Sequence, residues 1–90
     1  MPARTLTITH EVGLHARPAA TFVKTASGFP CEITLRNVTS GSDAVNAKSI
    51  LSVLTLGVNQ NHEIEIAAEG EKADDALDAL TQLVENNFGE

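Results

Sequence analysis

The stretch Gly13-Leu14-His15-Ala16-Arg17-Pro18 sets an imidazole, a guanidinium and a proline almost side by side. Pro18 has no backbone N–H, so a helix tolerates it only in the first turn, which pins the helix start to His15 or Ala16. His15 then sits at the N-cap. There the unpaired first-turn amides and the positive end of the helix dipole favour an attached anion, by ~0.3–1 kcal/mol from the dipole alone. Arg17 adds a permanent cation whose forked donors fit phosphate oxygens. An imidazole in that setting is suited to accepting a phosphoryl group and passing it on. On spacing alone, the same histidine also reads as a surface or capping residue.

Ser49 is the second candidate. It directly precedes the apolar run Ile50-Leu51-Ser52-Val53-Leu54-Thr55-Leu56, which makes it a good N-cap. A phosphate at that place would meet a helix N-terminus and the neighbouring Lys48, so modification costs little structure. The run itself carries too many apolar directions for a short helix to bury against one sheet. If Val53 and Leu56 face the core, Ile50, Leu51 and Leu54 form an exposed patch of the kind that marks partner surfaces.

These residues need elements to hold them. Thr5 to Thr9 alternates polar and apolar side chains, which predicts a strand over about 4–9. After a loop, Ala16–Ser27 forms a helix with Ala16, Ala19, Ala20, Val23 and Ala26 on its apolar face, Gly28 as a left-handed cap and Pro30 beyond it. Cys31, Ile33 and Leu35 alternate with Glu32, Thr34 and Arg36 in a second strand. The cluster Thr39 to Asp43 is a turn into a short third strand around 43–46. A helix over 49–56, stopped by Gly57, is followed by a fourth strand carrying Ile64, Ile66 and Ala68 inward. The last helix, over 71–87, spaces Ala73, Ala76, Leu77, Leu80, Leu83 and Val84 by three and four. The order β-α-β-β-α-β-α, with one polar face on every strand, predicts an α/β (α+β) two-layer open-faced sandwich: a four-stranded antiparallel sheet with three helices on one face.

Ninety residues make one domain, spanning 1–90, and surface scaling has such a chain bury roughly 63 % of its unfolded surface, enough for a core without staples. The single Cys31 excludes an internal disulfide, and His10 and His62 lack partners at ligand spacing, so no metal site is expected. Net charge is −6, against nucleic-acid binding. The charge is uneven, with five basic and three acidic side chains over 1–60 and one basic and nine acidic over 61–90. The basic half is where an anion belongs. No stretch has signal-peptide or membrane-span character, and the expectation is a cytoplasmic protein with no membrane insertion, acting as a monomer.

GLHARPAATFVKTAS resembles the active-site loop and first helix of the HPr family, the histidine-containing phosphocarriers of the bacterial phosphoenolpyruvate:sugar phosphotransferase system. NAKSILSVLTLGV resembles that family's regulatory-serine segment, and EKADDALDALTQLVEN its last helix. The resemblance implies that His15 takes phosphate on Nδ1 from phosphorylated enzyme I and gives it to enzyme IIA domains, with Arg17 against the phosphate. It implies modification of Ser49 by an HPr kinase/phosphorylase, and a catabolite-control transcription factor as a further partner. It also implies docking through Ala16, Ala20, Ile50, Leu51 and Leu54, rimmed by Arg17, Lys24 and Lys48. The family needs no cofactor and turns over no small molecule. Two departures stand out: Val12 occupies a position where small polar residues are frequent, and the turn near Gly41 is longer.

Rival readings are a regulatory adaptor working through Ser49 and the Ile50/Leu51/Leu54 surface, and a carrier of the nitrogen-related branch. A structural ferredoxin-like or metal-binding module rests only on layer architecture, and fold does not carry function.

Overall fold

A computed structural model describes residues 2–89. Strand β1 (Ala3–Thr7) leads through a loop to helix α1 (Ala16–Ser27), followed by β2 (Glu32–Asn37), β3 (Val45–Asn46), α2 (Ile50–Leu54), β4 (Glu63–Glu69) and α3 (Ala73–Glu85). A one-turn 3₁₀ segment, Asn87–Gly89, closes the described chain. The sheet order is β1-β4-β2-β3 and every pairing is antiparallel. The predicted open-faced sandwich is therefore the fold.

Period-two alternation decides which side chains meet the helices. Ile33 and Leu35 of β2 and Ile64, Ile66 and Ala68 of β4 are buried, and the register sets Leu35 opposite Ile66 and Ile33 opposite Ala68. Phe22, Leu77, Leu80 and Val84 pack on them from α1 and α3. The other face is half-covered by its own polar chains: Arg36 Nε donates to Glu65 Oε1 at 2.9 Å, a directly opposed cross-strand pair. Another ion pair, Arg4 to Asp78 at 2.6 Å, ties β1 to α3, and its exposure limits it to at most about 1 kcal/mol.

Several expected boundaries shift. Strand one is Ala3–Thr7 instead of 4–9, because Ile8 N–H bonds to His62 O as the chain leaves the ladder. The second strand starts at Glu32 and continues to Asn37, and the third is only Val45–Asn46. Helix α2 is the five residues Ile50–Leu54, with Ser49 as its cap and Thr55–Leu56 in a closing turn. The last helix runs Ala73–Glu85, shorter than 71–87. Its chain then passes through left-handed Asn87 and Phe88, φ +52° and +60°, with the Phe88 ring buried. Gly28 is not a left-handed cap; its φ is −77°. The core face of α1 is Pro18, Ala19, Phe22 and Ala26, while Ala16 and Ala20 are exposed. The Phe22 ring offers far more apolar area than an alanine methyl, so it decides which stripe faces inward.

Among the described residues Asn37 is the polar one inside the core. It occupies an inward position of β2 where an apolar side chain is expected, and its amide is satisfied throughout. Nδ2 lies 3.1 Å from Leu56 O and 3.2 Å from His62 Nδ1, and Oδ1 accepts from Ser40 N–H at 3.2 Å. A buried amide so paired is stable, and it fastens the long turn after β2 to the loop before β4.

Candidate functional site

Two loops meet at the start of α1: residues 8–15, which follow β1, and residues 55–62, which link α2 to β4. Leu14 N–H bonds to Val58 O at 3.0 Å, and Ile8 O accepts from Asn61 N–H at 2.6 Å. Leu14 and Val58 are fully buried between them. Gly13 lets the loops touch. Its φ is +74°, and a Cβ there would lie 2.3 Å from Val58 O and 2.8 Å from Asn59 Cα, closer than real carbons come. Any side chain at 13 would push the loops apart.

His15 is the N-cap of α1, as the position of Pro18 predicts, with extended backbone at φ −124° and ψ 160°. The ring is half-buried and its Nε2 lies 3.0 Å from Asn59 Oδ1. The His15 side chain makes no cap bond, and no acidic residue stands in the first turn of α1. Pro18 has no N–H, so the first-turn amides left without a side-chain cap are those of Ala16 and Arg17. Ala16 follows at φ +49°, a left-handed conformation that costs an L-residue roughly 1–2 kcal/mol. Composition holds no trace of this, since alanine signals nothing about positive φ. Strain of that kind persists only where neighbours hold it, and it marks functional loops.

Arg17, Ala20 and Lys24 form an exposed stripe along α1. Among the described residues the Arg17 guanidinium enters no hydrogen bond or ion pair, and it is carried two positions along the chain from His15. Lys48 behaves differently: it is half-buried and its Nζ donates to Phe29 O at 2.7 Å, near the other end of α1. Ser49 caps α2, its Oγ accepting from Ser52 N–H at 3.3 Å. In α2, Val53 is buried while Leu51 is 75 % exposed and Ile50 and Leu54 just over a third exposed. With Val12 these are the exposed large apolar side chains among the described residues, and the loop that follows α2 meets the histidine loop through the bond from Leu14 N–H to Val58 O.

The remaining histidines serve the loops. His10 Nδ1 accepts from Val12 N–H at 3.1 Å, and its ring meets Phe88 edge-on with centroids 5.8 Å apart. His62 is half-buried and its Nδ1 accepts from Asn59 N–H at 3.1 Å. Asn37, Asn59, His62 and the Gly13 contact escaped the sequence reading. Only a glycine beside the histidine motif hinted at a close approach there. Among the described residues no group of three or more His, Cys, Asp or Glu gathers as metal ligands, and no helix is long and apolar enough to cross a membrane.

A family model described as the PTS HPr component phosphorylation site matches residues 2–86. The chain is 40 % identical over 90 residues to phosphocarrier protein HPr of Pseudomonas putida, covering 100 % of this chain and 98 % of that protein. It is 43 % identical over 86 residues to a multiphosphoryl transfer protein of Haemophilus influenzae, covering 96 % of this chain and spanning only 17 % of that relative's length. The crystal structure of HPr-C-His from Thermoanaerobacter tengcongensis superposes with a TM-score of 0.94 at 43 % identity, covering 100 % of this chain and 98 % of that one. Sequence, architecture and the histidine at an uncapped helix start agree, and the chain belongs to the HPr family of phosphocarriers of the phosphotransferase system.

Proposed function

We propose that His15 accepts a phosphoryl group on Nδ1 from phosphorylated enzyme I and hands it to enzyme IIA domains in the cytoplasm. The observation that carries this reading is the His15 N-cap position, half-buried over a first turn that has neither a side-chain cap nor an acidic residue. In the forward step the imidazole lone pair forms the N–P bond while the bond from phosphorus to its donor breaks and its electron pair returns to the donor. The three phosphoryl oxygens then face the open amides and Arg17, whose donors suit a dianion. The protein is the substrate of this transfer and turns over no small molecule itself.

Docking uses the exposed apolar patch of Ile50, Leu51 and Leu54 with Ala16 and Ala20, and the cations Arg17 and Lys24 speed encounter with acidic partners. Lys48 contributes from the Phe29 side. Ser49 lies on the same element as the patch. A phosphate placed there by an HPr kinase adds about −2 charges at its edge, impeding transfer through His15 and creating a face for a transcriptional regulator.

Incubation with phosphoenolpyruvate, enzyme I and Mg²⁺ adds one acid-labile, base-stable phosphate to the protein. His15→Ala abolishes it. Label persisting in that variant overturns the assignment.

A further inference from the structure

The contact between His15 Nε2 and Asn59 Oδ1, at 3.0 Å, decides which nitrogen of the ring is nucleophilic. An amide oxygen only accepts, so the nitrogen facing it must donate, and a neutral imidazole has one N–H. The proton therefore sits on Nε2, and Nδ1 holds the lone pair. We propose that Asn59 is a positioning residue for phosphoryl transfer, holding the His15 proton on Nε2 so that Nδ1 is presented, unprotonated, at the open first turn of α1.

The effect grows along the reaction. When Nδ1 bonds phosphorus while Nε2 keeps its hydrogen, the ring becomes cationic until that proton is released. The hydrogen bond to Asn59 turns from neutral to charge-assisted in the same step, and an interaction stronger in the transition state than in the ground state raises the rate. The arrangement is analogous to an acceptor that orients a catalytic imidazole from behind.

Asn59 is held as a positioning group has to be. Its N–H donates to His62 Nδ1 at 3.1 Å and its C=O accepts from His62 N–H at 3.1 Å. His62 Nδ1 is in turn within 3.2 Å of buried Asn37 Nδ2. The backbone just before Asn59 takes the Leu14 N–H, one residue from His15. Gly13 keeps the Asn59 backbone at van der Waals range of the histidine loop. An asparagine serving only to make the turn would need none of the side-chain contact.

The inference rests on the carrier reading, and its first test is independent of phosphorylation. Proton–nitrogen correlation spectra of the His15 ring, recorded where the ring is neutral, place the hydrogen on Nε2 in the native protein and in Asn59→Asp, which keeps an oxygen acceptor in place. In Asn59→Ala the ring relaxes toward the mixture of tautomers of an unrestrained imidazole. The same Ala variant accepts phosphate from enzyme I about 10-fold more slowly, the size of one hydrogen bond to a charging group, with its unfolding midpoint held near the native value. Asn59→Asp transfers faster than Asn59→Ala. A native spectrum with the proton on Nδ1, or an Ala variant unchanged in tautomer and rate, overturns the role of Asn59. Label surviving in His15→Ala overturns the carrier reading and leaves the spectroscopic result standing.

Discussion

Helices α1 and α3 begin in opposite ways. Helix α3 starts after a left-handed Lys72 and carries Asp74 and Asp75 in its first turn, so the positive end of its dipole is already answered by the protein's own carboxylates. Helix α1 starts at a histidine that makes no cap bond, has no acidic residue in its first turn and carries Lys24 in its last. One N-terminus is answered within the folded chain; the other carries neither a side-chain cap nor a carboxylate. Core packing does not separate them: Ala19, Phe22 and Ala26 of α1 are as buried as Leu77, Leu80 and Val84 of α3, and left-handed residues flank both, Ala16 at the start of α1 and Lys72, Asn87 and Phe88 around α3. The difference lies in how each N-terminal charge is answered.

Three variants probe this contrast. The largest effect belongs to the body of α3. Leu80→Ala opens a cavity in a fully buried site and lowers unfolding free energy by about 2–5 kcal/mol, measured by chemical denaturation, while the molecules that remain folded accept phosphate at the native rate. Loss of acceptance per folded molecule would blur the division between the two regions. His15→Asp sets a carboxylate at the uncapped N-terminus, which the helix dipole favours by about 0.3–1 kcal/mol in thermal unfolding, and removes phosphoryl acceptance altogether. A destabilised Asp variant would mean that the first turn is already satisfied. The smallest effect comes from Asp74→Asn combined with Asp75→Asn, which costs roughly 0.3–1 kcal/mol through the dipole, shrinks with added salt and leaves transfer unchanged.

Legibility followed the range of the interaction. The order of elements, the inward alternation of β2 and β4 and the stripe of α3 are local periodicities, and they were readable. Pro18 marked the start of α1 because a missing N–H is a constraint of the residue itself. The ends were less readable. Helix α3 stops at Glu85 because burying Phe88 bends the chain, and Gly28 stays right-handed because the turn that follows does not need its freedom. Helix α1 turned its phenylalanine inward, displacing Ala16 and Ala20 to the surface, since competition between faces is settled by what the sheet offers.

By itself, the chain's order of residues determined the layer architecture, the histidine at a helix start, the neighbouring guanidinium and the surplus of apolar side chains on α2. Each depends on neighbours within a few positions. Only the tertiary structure decided that Asn59, forty-four residues from His15, faces its ring, that Asn37 and His62 hold the second loop, and that Gly13 lets two backbones touch. Those are pairings across loop closures, whose geometry is set by the sheet and core packed beneath them and not by any local preference of the residues that meet.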